Sequence, residues 1–390
     1  MKQPLDIIRQ AALDLTSCLG RAARRFESAY RGDRMGAKAV DAAVDKYQVV
    51  DHGGAGALRS PLVSAVDLPT PGRMIQHASP LTEKSALATA TRREFAELQA
   101  TAANIGLQKM DRLGRPPTAL DWAAEHRRLT VERAKQPESY SGSTQAALTP
   151  LTDEGGFITH MGLNIPPEGA KRDPETGKYE LDPRTGEVAG QATPASIVRA
   201  EAGRRAHARF GPGNDHIDEL QNTVRLTDGT TVNSNRLVRG ERGTEVNVQQ
   251  REYQASRGKD VSQWASEIPA DRVMSVPALQ ADREKIRQDA YEQLANPGEF
   301  TIRTWADAAY KLFLSPEMRS GNDAVSRTLL AEAGAYHLGR VPTYPHDIDF
   351  FAMTVDQDEF IDYIVEHDRR MQTGEPVWGS VPSRRSASED

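Results

Sequence analysis

Three apolar stripes at helical spacing crowd the stretch from Thr301 to Val365, with only short breaks between them. Ile302, Trp305, Ala306, Ala309, Leu312 and Phe313 recur every three or four residues, the period of a helix buried along one face. Pro316 ends that helix. A second opens at Asn322 or Asp323, with Val325, Leu329, Ala333 and Tyr336 inward and Gly339 as its C-cap signal. A third starts at Asp356, where Glu359 offers a capping box and Val355 can staple to Phe360.

The breaks between the helices carry the chemistry. Ser315-Pro316-Glu317-Met318-Arg319-Ser320-Gly321-Asn322-Asp323 places an arginine and a run of backbone N–H groups where a helix begins. That is how a protein holds a phosphate. Gly321 lets the backbone approach a ligand closely, and the helix end adds a positive dipole. Arg319 supplies a planar fork for phosphate or diphosphate oxygens. Arg327, just over one turn into the helix, would add a second charge. The plainer reading is that Asn322 and Asp323 cap the helix and Arg319 pairs with Glu317 or with a carboxylate elsewhere. In the loop 341–349, Asp347 and Asp349 flank Ile348, so one can point inward and the other to water. Near Arg319, Asp347 would serve as a general base toward a hydroxyl. It would also cap a short helix, Ile348–Met353.

Upstream, the pattern is mixed. Residues 1–34 carry six arginines on a weak amphipathic pattern, open to a plain surface helix or to a secretion leader, and 34–80, rich in Gly, Pro and Ser, read as linker or loop, so that 1–80 is taken as a leader and flexible segment. Leu81 to Leu107 reads as a helix capped by Thr82, with Ala86, Ala88, Phe95, Leu98 and Ala102 on its apolar face. Thr118 caps a second helix through Trp122 toward Ala134. Residues 155–190 read as an exposed insertion around two Asp-Pro turns, at 173–177 and 182–186. Pro194 to Phe210 is a basic helix. Asp228-Gly229 marks a hairpin within 223–232. His207, Asp215 and His216 raise a metal site, but the Gly-Pro-Gly-Asn interruption leaves no regular ligand spacing and predicts loop histidines. Residues 240–265 read as polar loop, Leu279 to Leu294 as a charged helix, and 371–390 as a disordered tail. The expected class is mainly α with a small β component.

Composition narrows the function. A net charge of -6 over 390 residues gives no reason to expect nucleic acid as partner, and no apolar run is long enough for a membrane span. The single cysteine, Cys18, excludes an internal disulfide and a multi-cysteine zinc site. No secretory signal with an apolar core is apparent.

The run 315–327, then Ala335-Tyr336-His337-Leu338-Gly339-Arg340-Val341-Pro342, then His346-Asp347-Ile348-Asp349-Phe350-Phe351-Ala352-Met353, resembles the C-terminal half of the AvrB family of the Fic/Doc/AvrB (Fido) superfamily. Leu148-Thr149-Pro150-Leu151 is similar to a second family segment. The resemblance spans about 118 to 366. It implies an AvrB-like Fido domain over 81–370, a helical lobe plus a smaller lobe, with 155–245 as its inserted or upper-lobe region. It also implies a type III effector, delivered into the plant host cytoplasm, that moves a rhamnose-like sugar from a UDP- or dTDP-sugar donor to a Ser/Thr hydroxyl of a host immune protein. A secretion chaperone would engage the N-terminus, and no metal is implied. By position, the pocket residues are Thr149, Arg319 and Asp347, with Arg319, Gly321, Asn322 and Arg327 toward the donor. The family's pocket histidine falls near Ser275. Met1-Lys2 replaces its Met-Gly anchor, so the resemblance does not carry membrane attachment. Two other readings stay open: a non-catalytic effector that binds a host protein, and AMP-type transfer of the Fic class. For the latter, Ser315 or Pro316 stands where a histidine belongs.

Overall fold

The structure, a computed structural model, describes residues 62–68, 83–135, 144–153, 158–162, 194–214, 216–262, 267–296, 298 and 300–374. The elements in chain order are α1 (Glu83–Arg112), α2 (Ala119–Ala134), α3 (Thr144–Leu148), β1 (Thr159–Gly162), α4 (Pro194–Phe210), β2 (Glu219–Arg225), β3 (Thr231–Val238), α5 (Gly240–Ser256), β4 (Arg272–Val276), α6 (Gln280–Ala295), α7 (Ile302–Leu314), α8 (Asn322–Leu338), α9 (Ile348–Thr354) and α10 (Gln357–Thr373). The class is mainly α, with one antiparallel sheet of order β1-β4-β3-β2 among the described residues. No described helix is long and apolar enough to cross a membrane.

Helix α8 is the axis of the helical part. It packs against α1, α2 and α7, and every residue from Ala324 to Ala335 is buried. The spacing predicts one inward stripe; the structure buries all faces. Small residues permit this: a Cβ on Gly334 would meet Pro342 Cδ at 2.3 Å. Trp305 of α7 is fully buried and donates its ring N–H to Leu330 O at 2.8 Å, locking α7 to α8. Lys311, also buried, is neutralised by Asp289 at 2.6 Å and Asp307 at 2.7 Å, as a buried cation requires.

Local signals place their elements well. Thr118 caps α2 and accepts Asp121 N–H, Asp356 caps α10 and accepts Glu359 N–H, and Gly339 adopts φ 66° after α8. The β2–β3 hairpin turns at Asp228-Gly229, where Gly229 has φ 85° and Asp228 Oδ1 accepts Thr230 N–H.

Four expectations change. Residues 240–256, read as loop, form helix α5. Its polar composition hides it, and packing rescues it: Val246 is buried, Gly243 sits where a Cβ would meet Ile268, and Asp218 accepts Glu241 N–H at the start. Leu98, read as inward on α1, is 37% exposed, while Phe95 is fully buried. Residues 62–68, within the expected linker, dock on α1: Val63 is buried, and its N–H and C=O both bond the Asn104 side chain. Thr159–Gly162, within the expected insertion, is an edge strand paired with β4. The two Asp-Pro turns, Thr82, residues 1–61, Asp215 and the tail from 375 lie outside the described residues.

Candidate functional site

The turn between α7 and α8 is built by its own side chains. Ser315 Oγ donates to Lys311 O at 2.7 Å and closes α7. Gly321 is the residue before α8, with φ 80°, a left-handed conformation that glycine adopts without strain. Asn322, read as a helix cap, folds back instead. Its Oδ1 accepts the N–H groups of Glu317 at 3.0 Å and Met318 at 2.9 Å, and its Nδ2 donates to Met318 O. Two N–H groups that the sequence left for a ligand are therefore used within the turn. At the helix mouth stand the N–H groups of Asn322, Asp323 and Ala324, which no helix carbonyl can reach.

A distant segment lies along this turn. Arg319 N–H donates to Thr149 O at 3.0 Å, Leu151 N–H donates to Glu317 O at 2.8 Å, and Pro150 bridges antiparallel to Met318. Thr149 and Arg319, paired by resemblance alone in the sequence, are thus joined through their backbones.

The Arg319 side chain does not pair with Glu317. Glu317 Oε2 faces His126 Nδ1 at 3.4 Å and Arg287 Nε at 3.8 Å, and His126, then Arg287, hold its carboxyl below the ordinary range. The Arg319 guanidinium instead lies 5.0 Å from the Tyr253 ring centroid on α5, a cation–π contact. Arg319 Nε, Ser320 Oγ and Tyr253 Oη are buried with no hydrogen-bond partner among the described residues. Buried donors in that state are rare in a folded protein and mark a place for a ligand or water. Arg133 of α2 flanks Gly321, where a Cβ would meet its Cγ at 3.3 Å; burial lowers its pKa to about 10.

Asp347 occupies the N-cap position of α9 but accepts no cap bond. Its Oδ2 accepts from Arg205 Nη2 at 2.9 Å, and Arg205 Nε also donates to Glu201 Oε1 at 3.2 Å. Asp349, on the other side of Ile348, points inward as the alternation predicts and is buried.

Arg327 is corrected by the structure. Expected as a second phosphate-facing charge, it is fully buried. It donates to Asp323 Oδ1 at 2.6 Å, His346 O at 2.9 Å and Asp349 Oδ1 at 3.3 Å. Burial opposes its charge, but Asp323 and then Asp349 outweigh it and raise its pKa. Its work is mechanical: it ties the mouth of α8 to the loop that presents Asp347. Ser275, at the family's histidine position, is buried on β4, and its Oγ accepts Asn235 Nδ2 at 2.8 Å. His207, raised earlier as a loop histidine, lies on α4 with its Nε2 2.9 Å from Asp271 O.

Tyr253, Arg133 and Arg205 were not singled out from the sequence. Tyr253 lies in the segment read as loop. Arg133 and Arg205 look like ordinary charges of α2 and of the basic helix α4. No protein-family model matches the chain, and no curated protein matches it.

Proposed function

We propose that the protein is an AvrB-like effector of Fido fold that transfers a rhamnose-like sugar from a nucleotide-sugar to a Ser or Thr hydroxyl of a host immune protein. The observation that carries this reading is the backbone pairing of Thr149 with Arg319 at the mouth of α8. It sets a cation, a helix N-terminus and a hydroxyl-bearing residue at one place, and Arg327 ties the Asp347 loop to the same helix turn. In the transfer, the acceptor oxygen attacks the sugar's anomeric carbon. The bond from that carbon to the diphosphate oxygen breaks, and the nucleoside diphosphate leaves with the electron pair. Arg319 and the N–H groups after Gly321 stabilise the departing charge. Asp347 takes the hydroxyl proton. Delivery by a type III system, with a chaperone at the N-terminus, belongs to the same reading.

Incubation with UDP- and dTDP-sugars and plant extract should add a sugar mass to a Ser or Thr of a host protein. Arg319→Ala should abolish the shift, and an undiminished shift would remove Arg319 from the site.

A second reading has one specific observation behind it. Ser275, where the family has a histidine, is committed to Asn235 and supplies no proton-transfer group. A binding-only effector would hold its host protein with no nucleotide affinity by calorimetry.

A further inference from the structure

Tyr253 carries two guanidiniums. That of Arg319 lies 5.0 Å from the centroid of its ring, and that of Arg257 lies 5.8 Å from the same centroid. The two reach the ring from different parts of the chain. Arg257 follows Tyr253 by four residues, about one helical turn, so its contact is local to α5. Arg319 comes from the turn before α8, which the Thr149 segment holds by its backbone. An aromatic ring attracts a cation through its electron-rich face. It does not cancel the repulsion between two of them.

The backbone sets Arg257 at this spot. It closes α5, its N–H donates to Gln254 O at 3.2 Å, and Gly258 follows with φ 76°. The last carbonyls of α5 offset part of its charge. Among the described residues no carboxylate pairs with it. Asp260, the nearest acid in sequence, turns its Oδ1 to the N–H of Ser262 at 2.9 Å, and Glu317 faces His126 and Arg287. The Arg257 side chain is exposed. Beside this pair of cations stand Arg319 Nε, Ser320 Oγ and Tyr253 Oη, buried and without hydrogen-bond partners. An anion with more than one charged group would relieve the repulsion and use those atoms, since guanidiniums bind phosphate oxygens by charge-assisted hydrogen bonds. Arg327, the cation expected in this second role, is committed inward to Asp323 and Asp349.

We infer that Arg257 is the second phosphate-binding cation of the donor site, seated with Arg319 on Tyr253 so that a diphosphate engages both arginines and a monophosphate engages Arg319 alone. The inference rests on the transferase reading above and adds to it the residue that makes the site selective for two phosphates.

Thermal-shift titration of the full chain at fixed ionic strength tests this, with inorganic pyrophosphate, orthophosphate and UDP as probes. Arg257 is exposed and its backbone bonds do not use its side chain, so Arg257→Ala should melt like wild type without ligand. The variant should weaken pyrophosphate and UDP by about tenfold, the effect of one charge-assisted hydrogen bond, and orthophosphate by less than about twofold. Arg319→Ala should weaken all three. If Arg257→Ala weakens orthophosphate as much as pyrophosphate, Arg257 acts only as a diffuse charge and the inference is overturned. If Arg257→Ala changes no probe while Arg319→Ala weakens UDP, the inference falls and the transferase reading stands. If pyrophosphate depends on both arginines but UDP does not bind, the paired cations stand and the transferase reading falls. If no probe binds wild type, both fall.

Discussion

The carbonyl oxygen of Thr149 accepts the backbone N–H of Arg319 at 3.0 Å. With Leu151 N–H on Glu317 O and the Pro150–Met318 bridge, it forms a short ladder between segments far apart in the chain. Backbone bonds fix the placement of Arg319 independently of its side chain. The guanidinium can therefore be removed without dismantling the turn, which makes Arg319→Ala a clean probe of binding.

Arg327 behaves oppositely. Its removal leaves Asp323 and Asp349 without their cation, and Asp349 is buried. Breaking a buried ion pair by removing one partner costs about 3–5 kcal/mol. Arg327→Ala should lower stability by that order in urea unfolding. A loss under about 1 kcal/mol would contradict the strut role assigned to it.

Asn322→Ala strips the acceptor from the N–H groups of Glu317 and Met318. Leaving such groups unmet costs about 1–3 kcal/mol each when buried, with the lower figure apt for this half-buried turn. Gly321→Ala forces a Cβ into φ 80° and against Arg133, a cost of about 1–2 kcal/mol. Both variants should lose nucleotide affinity along with stability, measured by ligand-induced thermal shift. Unchanged affinity in both would detach the turn from the ligand.

Glu332 predicts a pH effect. It is buried on α8 with Arg128 Nη2 at 3.6 Å, beside Glu125, which Lys109 approaches to 3.8 Å. Burial, then Glu125, push its pKa well above 4.5, against Arg128 and Lys109. Below the ordinary value both folded and unfolded chains hold the proton. As pH rises above it, the unfolded chain ionises first, so this group's contribution to stability falls until the folded pKa is passed. Glu332→Gln should match wild type at about pH 4 and gain on it toward about pH 8. A constant difference in urea unfolding across that range would refute the raised pKa.

Asp347→Asn should leave nucleotide affinity unchanged and slow transfer by about 100-fold or more. Arg205→Ala removes the donor that orients Asp347. It should lower turnover with little change in donor affinity, and Arg205→Lys should restore part of the rate. Equal losses of affinity and turnover would assign both residues to donor binding.

Where the determining signals are local, the sequence reads well. The stripe of α7, the cap at Thr118, the glycines at 321 and 339 and the Asp228-Gly229 turn each act within a few residues, and the elements start and stop where they indicate. Helix α5 was invisible because its start is completed by Asp218 and its thin apolar face is covered by Ile268, both outside the segment. Arg327 was misplaced for a related reason. Spacing sets it one turn into a helix, but only the packing of α9 and the loop before it decides that this position faces inward.

By itself the sequence determined a mainly α chain and the boundaries of the helices around the Arg319 turn. Helical period, proline, glycine and capping chemistry are short-range effects, so they survive in the linear chain. Tertiary structure alone decided the partners. It set Thr149 against Arg319, Tyr253 beneath the guanidinium, Arg205 on Asp347, and Asp323 and Asp349 around Arg327. Those choices depend on burial and on which charges meet when distant segments pack, and the spacing of charged residues along the chain does not encode which of them will meet.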